Sequence, residues 1–205
     1  LRERFLAALA GQVDVPPVLV PDLTYWLAAH PLPEGNGVLP TLEFHRQLGV
    51  MPYYVYGGAL CTIAFPDGQA QTADLGDGRT VTTWETPRGP LRKETTRLPA
   101  SVTQAITAYP VCTAEDLRRL IAMYRTARVV RLPAETFRER ARLVAAHDGY
   151  AILAVPRGPV PALMTDWAGV MNGVTLMADQ PELCQEFLTI VSRLCLEAVD
   201  ILCDE

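Results

Sequence analysis

The run Tyr150–Val155 (Tyr-Ala-Ile-Leu-Ala-Val) is apolar at every position. A helical pattern from about Ala134 to His147 precedes it, closed by Asp148-Gly149. Pro156-Arg157-Gly158-Pro159 ends it. An apolar run with no polar alternation is what a strand carries when both its faces are covered, as in a parallel sheet flanked by helices. Helix, buried strand and helix in succession set the fold class as α/β.

The flanking segments agree. Residues 1–10 read as a short amphipathic helix with Phe5, Leu6 and Leu9 on one side, stopped at Gly11. Val18–Val20, bounded by Pro16-Pro17 and Pro21, reads as a short buried strand, and Pro21–Pro40 as a long irregular loop. Thr41–Leu48 is a helix of a turn or two, and Met51–Tyr56 a second strand. From Thr113 the chain is helical, with Thr113 and Asp116 at capping-box spacing and Leu117, Leu120, Ile121 and Tyr124 on one face. The last helix carries the longest stripe: Leu183, Phe187, Ile190, Leu194, Ala198 and Ile201. Asp179 and Glu182 stand at capping-box spacing before it.

Between these lies a different texture. Gln69–Asp74, Thr80–Thr86 and Leu91–Arg97 are threonine-rich and separated by Gly76-Asp77-Gly78 and Pro87-Arg88-Gly89-Pro90. Asp-Gly is a hairpin signal because both residues tolerate positive φ. The three segments read as an antiparallel meander inserted in the α/β frame. Its polar third strand is expected at a solvent edge.

The chain has 205 residues, 49% of them hydrophobic, and a formal net charge of −5. The acidic balance argues against nucleic-acid and anionic-membrane partners. No apolar stretch reaches the ~18 residues of a membrane span, and no cleavable signal opens the chain. The expected location is the cytoplasm. The five cysteines, Cys61, Cys112, Cys184, Cys195 and Cys203, show no CxxC or CxH spacing. They read as small buried hydrophobes, with no disulfide framework and no metal site in this chain.

Two loops carry the candidate chemistry. The first holds Asp22, Tyr25, Trp26 and His30. His30 is the candidate catalytic group because an imidazole titrates near neutrality. Tyr25 and Trp26 either line an apolar pocket or pack beneath the loop. The second holds Arg157, with Asp166 on the helix that follows. Arg157 either clamps an anionic substrate group or forms a surface salt bridge, and Asp166 either joins that site or caps a helix turn. His45 is expected on a solvated helix face. His147 is expected at a helix end, where the dipole favours a cation.

Three stretches resemble the uroporphyrinogen decarboxylase superfamily: RERFLAALAGQVDVPPVLV; TLEFHRQLGVMPYYVY with WETPRGPLRKETT after it; and Gly158-Pro159 through Gly169 followed by Asp179-Gln180-Pro181-Glu182. The resemblance implies the N-terminal part of a (β/α)8 barrel with an inserted β-meander. Residues 1–60 would hold the N-terminal helix and first barrel elements, 61–100 the meander, and 101–205 helices and a barrel strand. Such barrels take ~200 residues or more without insertions, so one partial domain is expected, continuing beyond Glu205.

The departures from the pattern bear on function. Decarboxylases of this superfamily carry two arginines after the first strand, which bind substrate carboxylates. Here Leu27-Ala28-Ala29-His30-Pro31 stands between Trp26 and Leu32-Pro33-Glu34, with no arginine. The family's catalytic aspartate follows its second strand, where this chain has Val55-Tyr56-Gly57-Gly58, and its active-site tyrosine aligns near Thr165. The resemblance therefore implies the methyltransferase branch, acting on a small-molecule acceptor (a thiol or a folate) with a corrinoid protein as partner. That branch implies a corrinoid and a zinc ion whose ligands are expected downstream of Glu205, so residues 1–205 alone are expected to be inactive. The alternatives are a decarboxylase of uroporphyrinogen or a related acid, and a non-catalytic assembly module that covers an open sheet edge, for instance as a homodimer.

Overall fold

The computed structural model describes residues 1–12, 14–54, 59–99 and 103–204. In chain order the elements are α1 (Arg2–Leu9), α2 (Thr24–Ala29), α3 (Val38–Gln47), β1 (Tyr53–Tyr54), β2 (Cys61–Ala64), β3 (Gln69–Gly76), β4 (Arg79–Glu85), β5 (Leu91–Leu98), β6 (Thr103–Ala108), α4 (Ala114–Arg125), β7 (Arg128–Arg131), α5 (Glu135–Ala146), β8 (Tyr150–Ala151), α6 (Pro159–Pro161), a π-helical turn (Ala162–Trp167), α7 (Gly169–Asp179) and α8 (Pro181–Cys203). The protein is mixed α/β. Its strands form three sheets, of two, two and four strands, and no closed barrel forms among the described residues. No described helix is long and apolar enough to cross a membrane.

The chain divides into two compact units, Leu1–Leu60 with Leu132–Ala154, and Cys61–Arg131 with Val155–Glu205. In the first, β1 and β8 pair in parallel, Tyr53 with Tyr150 and Tyr54 with Ala151. The apolar run at 150–155 thus enters a parallel pair as expected, but the strand is two residues long, and Ala154 and Val155 are exposed. Gly149 sits at its start, so close to the Pro52 carbonyl that a Cβ there would overlap it. Phe5 of α1 stacks on Tyr150, with ring centroids 4.7 Å apart. Leu6 and Leu9 are exposed, so α1 buries less than its pattern suggests.

Two expectations in this unit fail. Val18–Val20 forms no strand: Leu19 is exposed, and its carbonyl accepts from Met51 N–H at 2.9 Å outside any ladder. The stretch 21–40 is not irregular throughout, because α2 and the start of α3 lie within it. Met51–Tyr56 is a strand only at Tyr53–Tyr54, and Val55–Gly58 lie outside the described residues.

The second unit holds the main core. Leu117, Leu120, Ile121 and Tyr124 of α4 meet Cys184, Phe187, Val191 and Leu194 of α8, with Leu163, Trp167 and Leu176 completing the cluster. The α4 capping box forms as its spacing predicts: Thr113 Oγ1 accepts from Asp116 N–H at 3.2 Å, and Thr113 N–H donates to the Asp116 carboxylate at 3.1 Å. The Asp179/Glu182 box does not form. Pro181 opens α8, and its fixed φ and missing N–H suit the first helical position, which leaves Asp179 as the last residue of α7.

The meander is β3-β4-β5-β6, antiparallel throughout. Asp77 (φ 52°) and Gly78 (φ 72°) make its first turn in the left-handed region, as Asp-Gly predicts. A fourth strand, β6, had no clear signal in the sequence, and it moves the polar third strand from the edge to the interior. Trp84 of β4 anchors the sheet against Trp167, at 5.1 Å between centroids. A separate antiparallel ladder joins β2 to β7.

Candidate functional site

In the first unit the predicted loop residues cluster on α2. Asp22 Oδ1 accepts from Thr24 N–H at 3.0 Å, so its carboxylate holds the start of the helix. Leu27 is the helix's buried residue, which turns Tyr25 and Trp26 outward, 63% and 46% exposed. Trp26 is the centre of a three-ring stack. His30 lies on one neighbour contact at 4.8 Å and Phe44 of α3 on the other at 5.5 Å, both nearly parallel to the indole. His30 Nδ1 is 3.1 Å from the Trp26 carbonyl, which with the stacking fixes the ring's position on an exposed corner.

Asn36 fastens the following loop back to α2. Its Nδ2 donates to the Leu27 carbonyl at 2.7 Å, and its Oδ1 accepts from Leu32 N–H at 3.0 Å. That fold-back opens a cleft of about 230 Å³ lined by Leu32, Pro33, Glu34, Pro40, Glu43, Phe44 and Gln47. Phe44 is shared between cleft and stack. Among the described residues two carboxylates and no cationic side chain line the cleft, and Arg46 lies 4.0 Å from Glu43. Sequence reading missed the α3 wall, although Pro40, Glu43, Phe44 and Gln47 stand at helical spacing on one face. Nor is His45 solvated: it is buried, with Nδ1 2.7 Å from the Thr41 carbonyl, because α3 turns Thr41, Leu42 and His45 inward.

In the second unit Arg157 and Asp166 meet. Arg157 Nε lies 3.1 Å from Asp166 Oδ2, and both side chains are about half exposed. This is the surface salt bridge of the two readings offered for Arg157, a geometry that typically contributes no more than ~1 kcal/mol. Asp166 belongs to the π-helical turn, and Thr165 beside it donates to Pro161 O at 2.7 Å. Single π-helical turns concentrate at functional sites. This one also delivers Trp167 inward, where its Nε1 donates to the Tyr124 hydroxyl at 3.1 Å. Burial pushes the Tyr124 hydroxyl up to about 12.

All five cysteines are free. Cys61 and Cys184 are buried as expected and Cys195 is half-buried, while Cys112 and Cys203 are exposed. Burial raises the Cys61, Cys184 and Cys195 thiols. Among the described residues no three His, Cys, Asp or Glu side chains converge on a point that could hold a metal ion.

The class these features define is a mixed α/β protein with an antiparallel meander and a cleft lined by two carboxylates and by Phe44, which also joins the Trp26 stack. No protein-family model, curated protein or solved structure matches the chain.

Proposed function

We propose that the full-length protein is a methyltransferase-type member of the uroporphyrinogen decarboxylase superfamily, passing a methyl group between a corrinoid protein and a thiol or folate acceptor. On this reading residues 1–205 are the N-terminal part of a (β/α)8 barrel and the protein works in the cytoplasm. The parallel β1–β8 pair supports it, as does the Gly158-Pro159 turn that leads from the β8 segment into α6.

The observation that carries methyl transfer over decarboxylation is the charge of the cleft beside the Trp26 stack. A porphyrinogen presents several carboxylates, which an enzyme pairs with guanidinium groups. Among the described residues Glu34 and Glu43 line this cleft, and Arg46, 4.0 Å from Glu43, offsets only one of the two, so the cleft lacks the guanidinium cluster that a polycarboxylate pairs with. An acceptor with an apolar or weakly basic body fits a cleft whose aromatic lining residue is Phe44, with the Trp26 and His30 rings stacked beyond it. In this proposal His30 and the exposed Tyr25, at the two ends of α2, contact the acceptor from outside the cleft lining. Among the described residues no three His, Cys, Asp or Glu side chains are grouped as a zinc site would need, so the reading assigns no zinc ligand among them.

The test is made on the full-length protein. Metal analysis should find bound zinc, and incubation with methylcobalamin and a thiol or reduced-folate acceptor should bleach the methyl–cobalt absorbance. Protein with neither zinc nor methyl transfer overturns the proposal.

A further inference from the structure

The outer strand of the meander is exposed at all of its residues, Gln69 to Gly76. Its ladder runs to β4, and among the described residues nothing pairs with its other edge. Open edges are normally kept from pairing by lysine, proline, shortness or inward charge. This sheet has the reverse distribution. The interior strand β5 carries Arg92, Lys93, Glu94 and Arg97, whereas β6 at one edge carries no charge and β3 at the other carries Asp74 alone. No proline or lysine interrupts β3, and its irregularity, between Asp74 and Gly76, is confined to the turn end. Asp, Gly and, less so, Ala are also depleted in strands.

We infer that β3 is a self-association edge, through which two copies of the chain pair antiparallel about a two-fold axis at Thr72 and join their meanders into one sheet. Such an interface must be self-complementary. A two-fold normal to the sheet keeps each side chain on its own face, so it matches residues an even number apart. Asp74 then meets its own copy only if the axis passes through Asp74. An axis at Thr72 puts Asp74 opposite Ala70. It also continues a row of hydroxyls already in the sheet, in which Thr72 Oγ1 lies 3.1 Å from Thr82 Oγ1. Cross-strand threonine pairs of this kind stabilise sheets. β6 is the shorter edge and more covered, and pairing β3 of one copy to β6 of another is a heterologous contact that does not give a closed dimer.

An eight-residue edge falls short of the ~800 Å² per partner of a standard interface, so the dimer is concentration-dependent. Sedimentation equilibrium of the full-length protein over a concentration series should give a mass rising from the monomer value toward twice that value. Thr72→Lys, which sets two ammonium groups face to face, should hold the chain at the monomer mass with its circular dichroism unchanged. Residues directly opposite in an antiparallel pair lie ~4.5–5.5 Å apart at Cα, within the ~4.4–6.8 Å that a disulfide spans. Thr72→Cys should therefore give a reducible dimer under mild oxidation, above the background set by Cys112 and Cys203, and Ala70→Cys should not. A mass that stays monomeric at the highest soluble concentration overturns the inference. So does a dimer that Thr72→Lys leaves intact, a mass that grows without limit, or cross-linking at position 70 rather than 72.

Discussion

Tyr124 joins the chemistry of the second unit to its stability, and its loss should show a characteristic pH signature. Its ring packs edge-on against Phe65, Trp167 and Phe187, and its hydroxyl accepts the Trp167 indole N–H. Tyr124→Phe keeps the ring contacts and strands that buried N–H, which costs about 1–3 kcal/mol near pH 7. For a chain of this size, each kcal/mol lowers Tm by roughly 2–4 °C. The alkaline limb runs the other way. The folded hydroxyl titrates at about 12 against about 10 when free, so below pH 10 both states hold the proton and stability is unaffected. Between 10 and 12 the unfolded chain releases its proton while the folded chain retains it. Stability then falls by about 1.4 kcal/mol per pH unit, or about 3 kcal/mol across the window, and levels off above it. The Phe variant lacks this fall. Burial also raises the Tyr150 hydroxyl, but Tyr150 is common to both proteins and cancels in the difference. Urea unfolding followed by tryptophan fluorescence and near-ultraviolet circular dichroism should show a variant weaker at pH 7 and closing on wild type by pH 12. A variant whose stability declines as steeply as wild type above pH 10 would refute the assigned burial of the hydroxyl.

Two further substitutions test the local architecture. Thr113→Ala removes the oxygen that accepts Asp116 N–H and should cost about 1 kcal/mol of stability; Thr113→Ser should recover most of it, and equal losses in the two variants would show that the cap does not hold α4. Gly149→Ala drives a methyl group against the Pro52 carbonyl and Val144, an overpacking expected to cost about 1–3 kcal/mol. It should also speed hydrogen exchange at the Tyr150 amide, which donates to Pro52 O, and unchanged exchange there would mean that β1 and β8 do not depend on this close approach.

The elements legible in the sequence are those whose causes are local. The α4 capping box needs residues three apart, the Asp77-Gly78 turn needs two neighbours able to adopt positive φ, and the stripe on α8 repeats over several turns. The elements that escaped owe their existence to distant partners. Cys61–Ala64 and Arg128–Arg131 are four-residue segments without a clean alternation, and each is a strand because the other lies beside it. Thr103–Ala108 is likewise ordered by β5, and its presence reverses the place of the third strand, which a reading of polarity alone puts outside. Helix faces fail for the same reason: nothing in the residues around His45 says which side of α3 turns inward, so a histidine between Glu43 and Arg46 looks solvated although it is buried.

The candidate site divides along the same line. Trp26 and His30 were visible because aromatic and imidazole side chains stand out in a proline-bounded loop, and their four-residue spacing brings them together once that loop turns helical. The second wall of the cleft depends on the Asn36 fold-back, which places Leu32–Glu34 beside α3 through two hydrogen bonds to backbone groups on either side. An asparagine in a loop carries no sign of which backbone groups it will bind, so neither the cleft nor its two carboxylates could be read in advance. Those carboxylates nevertheless bear on the function proposed here. On that proposal, the absence of arginine from Leu27–Pro31 withholds the usual partner of a carboxylate, and Glu34 and Glu43, the latter 4.0 Å from Arg46, make the cleft a poor host for a polycarboxylate.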